Sequence, residues 1–333
     1  MPQENFIAVF HSDEKEYNIL SYLGDGATCI CFKVYEKISD KIYALKIFKS
    51  SADSYFFNEV EKIRLIQNQC DSIIRLFDYG EGQICNFNEN KIDINLINKF
   101  QLYNNKTVKF SVFEYLENGE LFDYIYYLKE GFNEDITRMI FKKILNAIEV
   151  CHKNHFCHGD LKPENILIAN DFSVRLIDFG FSKDIRYENE LFYSWRGTDI
   201  YSCPETLKCT TKGYNGYKND IFSLGVLLFI LVVGRFPFNV CNGSDKRYKL
   251  IICKKFEEFW DIFQEKIKYE LSSEFKDLVQ NLICYNPNER LSLEQIKNHP
   301  WLNIHKQNEQ ELYQNEFVMR KEVIDISKKS MNY

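Results

Sequence analysis

Positive charge is not in surplus in this chain: 48 aspartates and glutamates outnumber 42 lysines and arginines, for a formal net charge of −6. A nucleic acid or an anionic membrane as main partner would favour the opposite sign, so neither is expected. An acidic surface suits basic substrates instead. Long apolar runs are missing too. The longest, Leu224 to Val233, is about half of a membrane span and reads as a buried helix, so no spanning segment is expected. Met1 leads into Pro2, Gln3 and Glu4, without the basic leader and apolar core of a secretory signal. The 11 cysteines are odd in number and scattered, with Cys151 and Cys284 inside apolar segments. That pattern points to free thiols in a reducing compartment, and a cytoplasmic monomer is the expectation. Cys29 with Cys31, and Cys151 with Cys157, have no matching second pair, which argues against a zinc site. No EF-hand loop is present, so calcium sensing would fall to a partner. No Gly-x-Gly-x-x-Gly opens a helix after a first strand, which removes a Rossmann dinucleotide enzyme.

What is present is a globular composition, 45% hydrophobic and 27% charged over 333 residues. Tyr17–Gly24, Cys31–Lys37 and Lys41–Phe48 read as three strands joined by tight connections. Ser54–Gln67 follows at helical spacing, with Phe56, Phe57, Val60, Ile63 and Ile66 on one stripe. Ile73–Tyr79 and Val108–Tyr115 read as two more strands. Between them Cys85 to Lys106, with Ile92, Ile94, Leu96 and Ile97 at its middle, is too long for a hairpin loop and reads as a surface insertion. After Glu117-Asn118-Gly119 helices dominate: Leu121–Lys129, Asp135–Asn154, and most of Lys218 to His299. Short apolar runs at Ile166–Ile168 and Val174–Ile177 interrupt them before a polar loop. The expected fold is α+β, with a small β-rich lobe carrying one main helix and a larger, mainly helical lobe.

Gly24-Asp25-Gly26 lies between two predicted strands, where a backbone without Cβ atoms can close over phosphates. A plain glycine turn would look the same. Tyr43-Ala44-Leu45-Lys46 places one lysine on an otherwise apolar strand, as a phosphate clamp or as a snorkelling edge residue. The second half decides between these readings. His158-Gly159-Asp160-Leu161-Lys162-Pro163-Glu164-Asn165 is followed by Asp178-Phe179-Gly180. Phosphoryl transfer needs a carboxylate near the attacking hydroxyl and hard oxygen ligands for magnesium, and Asp160, Asn165 and Asp178 supply that set. Lys162 can neutralise charge on the moving group.

With these motifs residues 17–302 resemble the eukaryotic protein kinase superfamily, serine/threonine class, and are similar in texture to the calcium/calmodulin-dependent group. The resemblance implies a bilobal kinase domain over 17–302, with an N-lobe at 17–116 and a C-lobe at 117–302; a charged tail with helical spacing follows at 303–333. It implies binding of Mg-ATP between the lobes and transfer of the γ-phosphoryl group to protein hydroxyls. Lys46, Asp160 and Lys162 become catalytic residues, and Asn165 and Asp178 the Mg2+ ligands. Glu59 becomes the glutamate that pairs with Lys46, with Glu61 as rival because the segment after Lys46 is short. Contacts to ATP fall to Leu23, Gly24, Gly26, Cys31, Ala44, Glu114, Leu116, Glu120 and Leu167, with Phe113 as gatekeeper. Asp220 matches the acid that anchors the catalytic loop, and Glu205 with Arg290 a buried ion pair.

Some features set this chain apart. Cys29 replaces the third glycine of the phosphate loop and Cys31 the valine under adenine; a pseudokinase scaffold is the alternative these leave open. Gly159 stands where most regulated kinases have arginine, and Asp199 replaces a frequent proline. Lys183 could still pair with a phosphate on Ser194, but packing of Phe192, Tyr193 and Trp195 is expected to order that loop. Glu120 and Glu164 match acids that receive arginine three residues before a target hydroxyl, and Phe181 matches a residue favouring serine, so Arg-x-x-Ser substrates are expected. In the tail Tyr313, Phe317, Arg320 and Ile324 share a helical stripe. It could block the substrate cleft, hold a regulatory protein or pack on the large lobe.

Overall fold

The computed structural model describes residues 6–85, 103, 106–264, 267, 269–304 and 308–331. The chain forms two compact units, Met1–Asn68 with Ile74–Tyr115 and Gln69–Ile73 with Leu116–Tyr333.

The smaller unit is built on β1 (Ala8–Ser12), β2 (Glu16–Asp25), β3 (Cys29–Glu36), β4 (Lys41–Phe48), β5 (Leu76–Cys85) and β6 (Val108–Glu114), with α1 (Asp53–Ile66) after β4. The sheet runs β1-β2-β3-β4-β6-β5 and closes where β5 pairs with β1. Strand alternation fills the barrel: Ile30, Phe32 and Val34 of β3 and Leu45 and Ile47 of β4 point inward with Phe10, Ile84 and Phe110. The same alternation sends Ala44 and Lys46 to the other face, where Cys31 lies opposite Lys46 and Lys33 opposite Ala44. Strand β1 was not anticipated, since its pattern is a mere five residues with Ala8 and Phe10 inward. Its pairing with β5 needs Gly82, because a Cβ there would lie 2.4 Å from the Phe10 ring and 2.5 Å from the His11 carbonyl oxygen. Strand β5 also starts later than expected: Ile73 belongs to the larger unit, where it bridges Leu176. On α1 the buried residues are Phe56, Glu59, Val60, Lys62, Ile63 and Ile66, whereas Phe57 is 59% exposed and leaves the expected stripe. Of the predicted insertion, Cys85 ends β5 and Tyr103 and Lys106 are described, while the rest, with Ile92, Ile94, Leu96 and Ile97, lies outside the described residues.

The larger unit contains α2 (Leu121–Tyr126), α3 (Glu134–Lys153), β7 (Phe156–Cys157), β8 (Ile166–Ile168), β9 (Val174–Leu176), β10 (Lys183–Asp184), α4 (Cys209–Lys212), α5 (Gly216–Val233), α6 (Lys246–Ile252), α7 (Phe256–Gln264), α8 (Ser273–Leu282), α9 (Leu293–Lys297) and α10 (Glu309–Met331). Helix α3 opens on Asn133, whose side chain accepts from the Ile136 N–H, with Glu134 and Asp135 in its positive first turn. Ile140, Ile144, Ile148 and Cys151 recur along its buried face. Helix α5 is apolar and long enough to cross a membrane, yet 89% of it is buried among the unit's own side chains. Asn215 caps its start, and Gly234 at φ 69° ends it in the left-handed region.

The tail stripe packs on this unit. Helix α10 buries Tyr313, Phe317, Arg320 and Ile324 at 0–2% exposure. Phe317 meets the rings of Tyr124, Phe132 and Phe172 at 5.1, 5.3 and 5.6 Å. The Tyr313 hydroxyl donates to the Phe172 carbonyl at 2.7 Å. Arg320 donates to the carbonyls of Tyr124, Glu130 and Gly131 at 2.8, 3.1 and 2.7 Å, and to Glu316 at 2.7 Å. Its guanidinium lies 4.0 Å from the Phe132 ring centroid. The carbonyls that α2 and its following turn leave open are thus capped from the far end of the chain.

Candidate active site

In the smaller unit Gly24 lies at the end of β2 and Gly26 in the turn that leads to β3. A Cβ at either would meet nothing within 4 Å, and neither has a positive φ. Folding alone therefore does not require glycine here; close approach of something from outside the chain would. Leu23 beside them is 44% exposed. On β4 the Lys46 ammonium donates to Glu59 Oε1 at 2.8 Å, with Glu59 2% exposed. Glu61 is 71% exposed and pairs with Lys62 at 3.4 Å, so geometry separates the two glutamates. Ala44 sits opposite Phe113, and Glu114 accepts the Arg75 N–H through its carboxylate at 3.0 Å. The Cys31 thiol is pushed well above its usual range, first by its hydrogen bond with Cys29 and then by burial, so the Cys31 thiol stays protonated.

In the larger unit Asp220, fully buried on α5, accepts the His158 and Gly159 N–H groups at 2.9 and 3.0 Å and the His152 ring at 2.8 Å. That fixes the loop after β7 from beneath. The Asp160 N–H donates to His158 Nδ1 at 3.3 Å, which leaves His158 Nε2–H to donate to the Ile177 carbonyl at 3.1 Å. One histidine therefore ties the Asp160 loop to the strand end before Asp178. Phe179 packs edge-on against the same ring at 5.0 Å. Asp178 itself adopts φ 62°, a left-handed conformation that a non-glycine residue holds at a cost of about 1–2 kcal/mol.

Asp160 is 5% exposed and its carboxylate is surrounded by donors. Thr198 Oγ1–H donates to Oδ1 at 2.8 Å, Asn165 Nδ2 to Oδ2 at 3.0 Å, and the Lys162 ammonium lies 2.8 Å from Oδ2. Lys162 also donates to Thr198 Oγ1 at 2.8 Å. Asp160 thus already accepts a hydrogen bond from a hydroxyl next to a positive charge. Because the Asn165 amide nitrogen is spent on Asp160, its Oδ1 is the atom left to face a cation. Asn165 and Asp178 both offer oxygen donors, the ligand type that Mg2+ takes.

Glu120 immediately precedes α2, and its pKa is pushed up to about 7, by burial first and then by Asp123 and Glu164; Lys328 and Lys162 pull it back. Lys328 of α10 reaches Asp123 at 2.6 Å. Tyr201 donates to Glu164 at 3.3 Å. Leu167 on β8 bridges Glu120, and Leu116 opens the unit's main segment. Glu205 and Arg290 pair at 2.6 Å with Arg290 2% exposed. Sequence reasoning gave Thr198 no contact with Asp160 and omitted Tyr201 and Tyr214 altogether. Thr198 was within reach, since a hydroxyl beside Gly197 can enter a catalytic loop; the two tyrosines carried no sequence signal.

The family model described as "Protein kinase domain" matches residues 17–302. A human SNF-related serine/threonine-protein kinase is 33% identical over 80% of this chain and 30% of its own length. Mouse serine/threonine-protein kinase SIK1 is 28% identical over 86% of this chain and 32% of its own length. A probable serine/threonine-protein kinase KIN1 homolog of Enterocytozoon bieneusi is 30% identical over 94% and 46%. The chain therefore spans about a third to a half of the length of these relatives.

Proposed function

Because the chain belongs to the protein kinase domain family, in its serine/threonine class, we propose that it transfers the γ-phosphoryl group of Mg-ATP to serine or threonine hydroxyls of protein substrates. The observation that carries this is the Asp160 carboxylate, buried and accepting a hydrogen bond from the Thr198 hydroxyl with Lys162 bridging the two. A substrate hydroxyl presented to Asp160 gives up its proton there as its oxygen bonds to the γ-phosphorus and the bond to the ADP oxygen breaks. Lys162 offsets charge on the transferring oxygens. Lys46, held by Glu59, takes the α- and β-phosphates, and Asn165 with Asp178 would hold Mg2+, which neutralises phosphate charge when bound. Gly24 and Gly26 leave the backbone open to close approach of the phosphates, and Ala44, Cys31, Leu23, Leu167, Glu114 and Leu116 serve the base and ribose side. The test is incorporation of labelled phosphate from γ-labelled Mg-ATP into a basic protein. No incorporation with ATP still bound would mean a pseudokinase scaffold. Glu59→Gln should lower turnover by about tenfold or more while Glu61→Gln changes it less than about twofold, as steady-state rates would show.

Substrate preference follows from Glu120, Asp123 and Glu164, which share one electrostatic neighbourhood. A guanidinium there gains bidentate, charge-assisted bonds, so arginine three residues before the target serine is favoured. Glu120 titrates near 7, and arginine binds its ionised form. Affinity for an Arg-x-x-Ser peptide therefore rises as pH rises through about 7 and falls below it. KM measured from pH 6 to 8 should show this slope, and Glu120→Gln should flatten it. An unchanged slope in that variant would remove Glu120 from the site.

A further inference from the structure

The loop between β10 and α4 brings Thr198 to Asp160, and something must hold it there. Where the resemblance expects a phosphate-reading arginine the chain has Gly159. Its φ is +81°, and a Cβ would lie 2.8 Å from the Phe181 carbonyl oxygen, so this backbone is shaped for glycine. Lys183 does not wait for a phosphate. Its ammonium lies 4.9 Å from the ring centroid of Phe192 and 5.2 Å from that of Tyr214, and it donates to the Ser194 carbonyl. Burial lowers its pKa and Arg196 pushes the same way, the thiols of Cys157 and Cys209 oppose the shift, and among the described residues no carboxylate forms an ion pair with it. A partly desolvated ammonium without a carboxylate is one for which aromatic faces are strong partners.

Phe192 and Tyr214 are bound to each other by two backbone hydrogen bonds of 2.9 and 3.0 Å. Trp195 packs edge-on to Tyr214 at 5.5 Å, and its Nε1–H donates to Asp199 at 3.1 Å. Thr198, the neighbour of Asp199, then reaches Asp160. Tyr193, expected to share this packing, is 58% exposed. We propose that Lys183, seated on Phe192 and Tyr214 and bound to the Ser194 carbonyl, is a positioning residue that sets Thr198 against Asp160 without any phosphate on the loop. The proposal rests on the phosphotransferase reading above. A phosphate on Ser194 would compete with the two rings for the same ammonium rather than complete the site.

The test uses the full chain after phosphatase treatment, as wild type, Lys183→Met, Lys183→Arg and Ser194→Ala. Two readouts are followed, peptide phosphorylation and the rate of trypsin cleavage after Arg196. Wild type and Ser194→Ala should agree in turnover within about threefold, while Lys183→Met loses about tenfold in kcat with KM for ATP within about twofold. Cleavage after Arg196 should quicken by about tenfold in Lys183→Met, and Lys183→Arg should recover most of both properties. Wild-type turnover and trypsin resistance in Lys183→Met would overturn the proposal. So would a loss on phosphatase treatment that Ser194→Ala reproduces. If no protein transfers phosphate, the kinase reading fails, and cleavage after Arg196 still decides whether Lys183 holds the loop.

Discussion

Arg320→Ala should destabilise the larger unit by about 3–5 kcal/mol, the range for removing one partner from a buried charged network. The side chain is 2% exposed, and its loss leaves the Tyr124, Glu130 and Gly131 carbonyls without their donors. It also strips the Phe132 ring of its cation and leaves Glu316 beside an empty space. For a unit of this size each kcal/mol moves the melting temperature by about 2–4 °C, so a drop of roughly 10 °C is expected in a circular-dichroism melt. Deletion after Leu302 should be worse. It uncovers Tyr124, Phe132 and Phe172 at once, and the product should be insoluble or aggregated on size exclusion. A soluble, more active truncated protein would instead establish the tail as a blocking segment. A shift below about 2 °C for Arg320→Ala would show that water replaces the guanidinium at little cost.

Asp160→Asn should lower phosphate transfer by about two to four orders of magnitude, the contribution of a positioned general base. The fold should survive, because Asp220, not Asp160, anchors the loop through the His158 and Gly159 N–H groups. The new amide can still accept from Thr198 at its oxygen, but its nitrogen would face the donors of Lys162 and Asn165. Lys162 is then displaced as well as the base lost. Protection of the protein by Mg-ATP in a thermal melt should persist in Asp160→Asn and disappear in Asp178→Ala. A single-turnover rate for Asp160→Asn within tenfold of wild type would remove it from the role of base.

The larger unit's site was legible early because its chemistry is local in sequence. Asp160, Lys162 and Asn165 fall within six residues, and a loop that short brings them together in any fold that supports it. The period-2 alternation of β3 and β4 likewise fixes which side chains share a face, and so places Cys31 across from Lys46. Helix α5 read correctly as buried from its composition. Partner choice was another matter. Glu59 and Glu61 stand two apart on α1, and helical geometry sends them to different faces, but which face meets β4 is decided by packing of Val60, Ile63 and Ile66.

By itself the sequence determined the kinase motifs, the strand and helix order around them and the residues available for chemistry. Those depend on short-range geometry and on residue type. Tertiary structure decided the rest. β1 is too short to announce itself and exists because β5 offers an open edge and Gly82 allows close approach. The tail helix pairs Arg320 with carbonyls nearly two hundred residues away, and Lys183 finds Tyr214 across an irregular loop. Such contacts join segments whose own patterns do not refer to each other. They form because burying a cation or a strand edge is tolerable only where the folded chain supplies the missing donors, acceptors or rings.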